Sequence, residues 1–152
     1  MSVLQGDAIW QARDAGQWQE ELLQAALAVM PDVRQGEPRA LLNERAAFYQ
    51  LEYRDGLRAT VAMANGLAGH FGFAAKLRGR EQPVATWFKL EEERPYGHFG
   101  YLLRAIDNMI HTGQPAYPVE RTLLTTGVLD RVMHSLAAGG QRFETPELAI
   151  HY

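Results

Sequence analysis

Five histidines hold most of the proton chemistry open to this chain: His70, His98, His111, His134 and His151. Imidazole titrates near neutral pH, so each is a candidate acid, base or metal ligand. His98 stands in Pro95-Tyr96-Gly97-His98-Phe99, where a helix begins. A helix N-terminus attracts anions, which places His98 beside any acid or sugar bound there. The plainer reading is that His98 caps or packs the first turn. His70 follows the turn Asn65 to Gly69, between two strands, where sites often sit and where isolated exposed histidines are commoner still. Asp107 and His111 are four apart on the polar side of a helix, which makes them half a metal site or, more plainly, an exposed ion pair. His134 and His151 have no nearby partner in sequence.

Cations add anion binding. Lys76, Arg78 and Arg80 alternate, so on one strand they share a face. That face suits a carboxylate or phosphate, but Glu81 beside it and the net charge of -3 favour a solvated edge. The candidate substrate-binding set is therefore His98, His70, Arg54 and Lys76, with the cations holding anions and the histidines moving protons or making polar contacts. No catalytic residue and no metal ligand set is assigned.

Several chemistries are excluded. No cysteine is present among the 152 residues, which removes disulfides, thiolate catalysis and Cys–zinc sites. With 15 basic and 18 acidic residues the chain carries no electrostatic footprint for nucleic acid. Gly66, Gly69 and Gly72 recur at three, but between strands, not at the strand-to-helix turn of a dinucleotide site. No phosphate-binding loop and no G-x-S-x-G elbow occurs. Met1 to Gly6 lacks the features of a signal peptide, and no apolar run suits a membrane span. A soluble, cytoplasmic protein is expected, with no nucleic acid or membrane partner.

These residues need elements to position them. Asp7 to about Ala15 reads as a short helix closed by Gly16. Leu22, Leu23, Ala26, Leu27 and Met30 form one face of a second helix, Trp18 to Met30, stopped by Pro31. Val33 to Arg45 reads as a long loop.

Ala47 to Met63 reads as two strands around Asp55-Gly56. A two-residue turn would mix polar and apolar residues on both faces. A three-residue loop, Arg54-Asp55-Gly56, with Gly56 left-handed in a bulge, sorts them. It sets Ala47, Tyr49, Leu51 and Tyr53 beside Met63, Val61, Ala59 and Leu57, and Glu52 against Arg58 on the other face. Two further strands follow, one through Phe71, Phe73, Ala75 and Leu77, the other through Val84, Thr86, Phe88 and Leu90, with Trp87 facing away. Short turns between them predict an antiparallel meander.

The last third has helical period. Phe99, Leu102, Leu103, Ile106, Met109 and Ile110 share a face, closed by Gly113. A second helix runs from about Val119 to Leu136, with Leu123, Leu129, Val132, Met133 and Leu136 apolar, and Gly139-Gly140 ends it. The tail has β character around Leu148 to Ile150. The expected fold is a single α+β domain over 1–152: helical segment and loop 1–46, antiparallel meander sheet 47–90, two helices and tail 95–152. Its helices pack on one face of the sheet in a two-layer sandwich.

The order of motifs from Glu52-Tyr53-Arg54-Asp55-Gly56-Leu57, through His98-Phe99-Gly100-Tyr101-Leu102-Leu103-Arg104-Ala105-Ile106-Asp107 and Thr112-Gly113-Gln114-Pro115, to Pro118-Val119-Glu120-Arg121-Thr122-Leu123-Leu124 resembles the C-terminal domain of Gfo/Idh/MocA-type oxidoreductases. The similarity spans about residues 47 to 151. In that family an N-terminal Rossmann domain carries the nicotinamide, a Glu-Lys-Pro segment supplies a catalytic lysine, and the C-terminal domain forms one wall of the substrate site and often a dimer interface. Lys76 and Lys89 are this chain's only lysines, and neither stands in Glu-Lys-Pro. Asp107 and His111 match the spacing of the family's aspartate-to-histidine motif but stand in the late helix, so that role is not carried over.

The resemblance implies a substrate-side or oligomerisation domain, not catalytic alone. Its partner would be a second copy, through the sheet, or a Rossmann subunit. It binds no cofactor by itself, and NAD(P) is implied only where a Rossmann domain is supplied. An independent small-molecule-binding protein or enzyme using His98 or His70, and a structural dimerisation module, stand as alternatives.

Overall fold

A computed structural model describes residues 1–151. The chain divides into two compact units, one of residues 1–88 with 130–145, the other of 89–129 with the segment from Pro146 on.

In the first unit, strands β1 (Ser2–Gln5), β2 (Ala47–Glu52) and β3 (Arg58–Met63) form an antiparallel sheet in that order. The hairpin has the expected register: Ala47 faces Met63, Tyr49 faces Val61, Leu51 faces Ala59 and Glu52 faces Arg58. Tyr53 N–H donates to the Leu57 carbonyl at 2.8 Å, which leaves the loop Arg54-Asp55-Gly56. Gly56 has φ 86°, the left-handed backbone the bulge requires, and the Asp55 carboxylate accepts the Leu57 N–H at 3.0 Å.

β1 is too short to show in a sequence pattern. It pairs with β2, with Val3 opposite Tyr49. Its outer edge is closed by residues 135–143: Val3 N–H donates to Ser135 Oγ at 3.0 Å, and Phe143 N–H to the Met1 carbonyl at 2.8 Å. An unpaired edge is thereby covered. Gly140 permits the approach, since a Cβ there would stand 2.7 Å from the Val3 carbonyl oxygen.

Helices α1 (Asp7–Asp14) and α2 (Glu20–Val29) follow the expected periodicity. Ile9, Trp10, Ala12, Trp18 and Phe48 form one core on the Phe48 face of the sheet. Trp18 stacks edge-on to Phe48 at 5.0 Å and donates its indole N–H to the Ile9 carbonyl at 2.7 Å. Each fully buried large apolar side chain of this kind contributes about 2–3 kcal/mol. A second core, of Val3, Ala47 and Val132, lies on the opposite face. Val132 comes from the end of α5 (Val119–Ala137).

The loop from Val33 contains a helical turn, α3 (Pro38–Leu41), started by its proline. This loop also splits the sheet. Asn43 N–H donates to the Asn65 carbonyl, Arg34 N–H to the Leu67 carbonyl, and Gly66 lies against the Leu41 carbonyl. The segment after β3 is thus bound to the 34–43 loop and cannot fold back along β3. β4 (Phe71–Ala75) and β5 (Val84–Phe88) therefore pair only with each other. The α+β class holds, with helices packed against antiparallel strands. The strands form two sheets where one four-stranded meander was expected, and the larger sheet has cores on both faces. Trp87 and Gly72 face α2, where Gly72 admits Met30.

In the second unit, α4 (His98–Thr112) ends on left-handed Gly113, as the sequence predicts. The tail holds a 3₁₀ turn at Pro146–Leu148 in place of β character. Gly127 admits Leu148 there, a contact that a Cβ would obstruct.

Candidate functional site

The four predicted site residues stand on separate features. Arg54 is exposed in the β2–β3 loop. Lys76 lies just beyond β4, where it pairs with Glu21 of α2 at 3.5 Å. β4 ends at Ala75, so Lys76, Arg78 and Arg80 belong to the following loop and do not share a strand face. The reason is the glycine turn at Gly79, φ 81°, which begins to reverse the chain.

His70 immediately precedes β4. It is half-buried, with its ring edge-on to Trp87 at 5.9 Å and Nε2 3.7 Å from the Asp32 carboxylate. It is therefore neither isolated nor fully exposed. The Trp87 indole nitrogen is buried and has no hydrogen-bond partner among the described residues. Asp32 adopts φ 54°, a left-handed conformation that aspartate tolerates better than most residues.

His98, in the second unit, opens α4. Its Nδ1 lies 2.8 Å from the Glu91 carbonyl oxygen, and its ring packs on Phe99 at 4.4 Å. Gly97 lets the Glu91 side chain cross the start of the helix, since a Cβ would collide with that carboxylate. His98 thus packs against the first turn, and the Glu91 carboxylate crosses this helix end. Asp107 and His111 form the exposed pair expected, 3.4 Å apart. His134 has a partner after all: Asp130 one turn earlier, at 3.6 Å. The sequence reading overlooked that i,i+4 relation. Among the described residues no histidine, aspartate or glutamate cluster is arranged to hold a metal ion.

The conspicuous chemistry is apolar. On α4, Phe99 is 54% exposed, Leu103 63% and Ile110 72%, and no residue of the helix is buried. The stripe read from periodicity exists, but no described residue of its own unit covers it. Six such side chains present an apolar patch on the order of several hundred Å², at the upper end for a monomer. On α5, the stripe divides: Val132 is buried, whereas Leu123, Leu129 and Met133 are exposed. In the first unit, Phe71, Phe73 and Phe88 are exposed on the β4–β5 face turned away from α2.

A polar cavity of about 340 Å³ opens between the end of α2, the 32–36 loop and Leu67. Sequence reasoning missed it, because no spacing links Arg34 to Leu67. No described helix is long and apolar enough to cross a membrane. Compared with known protein families, curated proteins and solved structures, the chain matches none of them.

Proposed function

We propose that this chain acts by association, as a cytoplasmic substrate-side and assembly domain of the kind found at the C-terminus of Gfo/Idh/MocA-type oxidoreductases. It is not catalytic alone. The observation that carries the reading is the α4 stripe, whose residues are 40% exposed or more without a cover. Patches of this kind mark interaction sites. The polar candidates support the same reading, since within their own units Lys76 is paired with Glu21, His70 with Asp32, and His98 with the Glu91 carbonyl. NAD(P) would arrive with a separate nucleotide-binding domain.

Native mass spectrometry with light scattering tests this. The expected result is a homo-oligomer, or a complex with an added nicotinamide-binding Rossmann subunit, lost in a Leu103→Glu, Ile110→Glu double variant with an unchanged circular dichroism spectrum. A chain that stays monomeric and binds no such subunit refutes the reading. One observation favours an independent small-molecule site: the His70–Asp32 contact at 3.7 Å beside Trp87. That reading predicts turnover by the isolated chain that His70→Ala abolishes.

A further inference from the structure

We infer that α4 pairs with α4 of a second copy of this chain, antiparallel, across a two-fold axis centred on Ile106. This rests on the assembly reading and names its partner. No residue of α4 is buried, and among the described residues the 119–129 part of α5, in the same unit, does not pack along it. A helix of 15 residues is marginal in water by itself and draws most of its stability from packing an apolar face. α4 has such a face, with Leu103 63% exposed, Ile106 40% and Ile110 72%. Its persistence as a helix therefore calls for a cover.

The spacing selects that cover. Leu102, Leu103, Ile106, Met109 and Ile110 stand at −4, −3, 0, +3 and +4 from Ile106, an order that reads the same in both directions. Reversing a second α4 sets Leu102 beside Ile110, Leu103 beside Met109 and Ile106 beside itself, as an isologous two-fold interface requires. A parallel pair would align the two helix dipoles, whereas the antiparallel pair opposes them. The stripe also offers no charge for a different partner to read. Arg104 and Asp107 lie off it and are engaged on their own helix, Arg104 over the Tyr101 ring at 4.8 Å and Asp107 with His111 at 3.4 Å. The area suffices as well. The stripe gives on the order of 500 Å² per copy, so roughly 1,000 Å² in the pair, the lower bound for specific association.

The chain has no cysteine, so introduced cysteines report the pairing by disulfide formation. Helices packed roughly 8–10 Å apart bring the two Ile106 Cα atoms to about 4–6 Å, within disulfide reach. The two Phe99 residues would stand about 20 Å apart along the pair, out of reach. Under mild oxidation, Ile106→Cys should form a covalent dimer at least roughly tenfold faster than Phe99→Cys, or than Asn108→Cys on the opposite face of the helix. A mixture of Leu102→Cys and Ile110→Cys chains should give the mixed dimer over either homodimer, which guards against an Ile106 variant that fails to fold. Rapid Phe99→Cys or Leu102→Cys homodimers mean parallel helices and overturn the proposal, as does Ile106→Cys linking no faster than Asn108→Cys. Native mass spectrometry of the unsubstituted chain separates the two levels. A monomer that takes up a Rossmann subunit overturns this pairing and leaves the assembly reading standing, whereas a monomer that takes up none overturns both.

Discussion

Replacing Ser135 by alanine tests how the first unit is closed. Ser135 is completely buried, 0% exposed, although serine is ordinarily a surface residue. Its hydroxyl accepts from Val3 N–H at 3.0 Å and donates to the Gln141 carbonyl at 2.7 Å, linking β1 to the chain beyond α5. Alanine leaves both backbone groups without this partner. Val3 is 3% exposed, so its N–H cannot turn to water, and an unsatisfied buried donor costs about 1–3 kcal/mol. Gln141 is exposed, so its carbonyl is rehydrated and adds little. The expected loss is about 2 kcal/mol. With a urea dependence of roughly 1–3 kcal/mol per molar, the unfolding midpoint falls by about 1 M at unchanged slope. Hydrogen exchange localises the effect: the Val3 amide should exchange roughly thirtyfold faster. Thr125→Ala is the control. Its hydroxyl back-bonds to Arg121 and Thr122 carbonyls on an exposed helix turn, and its loss should stay within about 0.5 kcal/mol. A Ser135→Ala chain that also loses less than about 0.5 kcal/mol would show that Ser135 does not hold the β1 edge.

Two other expectations can be checked by the same denaturation experiment. Gly56→Ala should cost about 1 kcal/mol, because a Cβ there meets nothing within 4 Å and only the backbone at φ 86° objects, and Gly56→Asn should cost less. A far larger loss would mean that the loop is packed, contrary to its exposure. Trp18→Phe should cost about 2–4 kcal/mol, since it strands the Ile9 carbonyl, now paired at 2.7 Å, and opens space beside Phe48. A change under about 1 kcal/mol would contradict that accounting.

Residues 47–63 show why some of this structure could be read in advance. A hairpin is local: its two strands are joined by its own turn, and one register alone sorts apolar from polar side chains. Tyr49 opposite Val61 and left-handed Gly56 follow from that constraint. The same holds for α4, whose apolar stripe and Gly113 cap are set by helical period and by the permissive backbone of glycine. Periodicity says which side chains share a face. It does not say what meets that face, and on α4 no described residue of its own unit does.

The remaining features depend on residues far apart in the chain. β1 became a strand by pairing with β2, some way along the chain, and its other edge is closed by Ser135 and Phe143, more than 130 positions away; four residues carry too little pattern to announce it. The strands separated into two sheets because Asn43 and Arg34 claimed the backbone of Asn65 and Leu67. Lys76 found Glu21, and His70 found Asp32, by the same kind of meeting. The amino-acid order thus specified local geometry and the faces of each element, because those obey short-range sterics and solvent exclusion. Which faces met was settled by chain packing, since loop closure between distant segments leaves no periodic trace in the sequence.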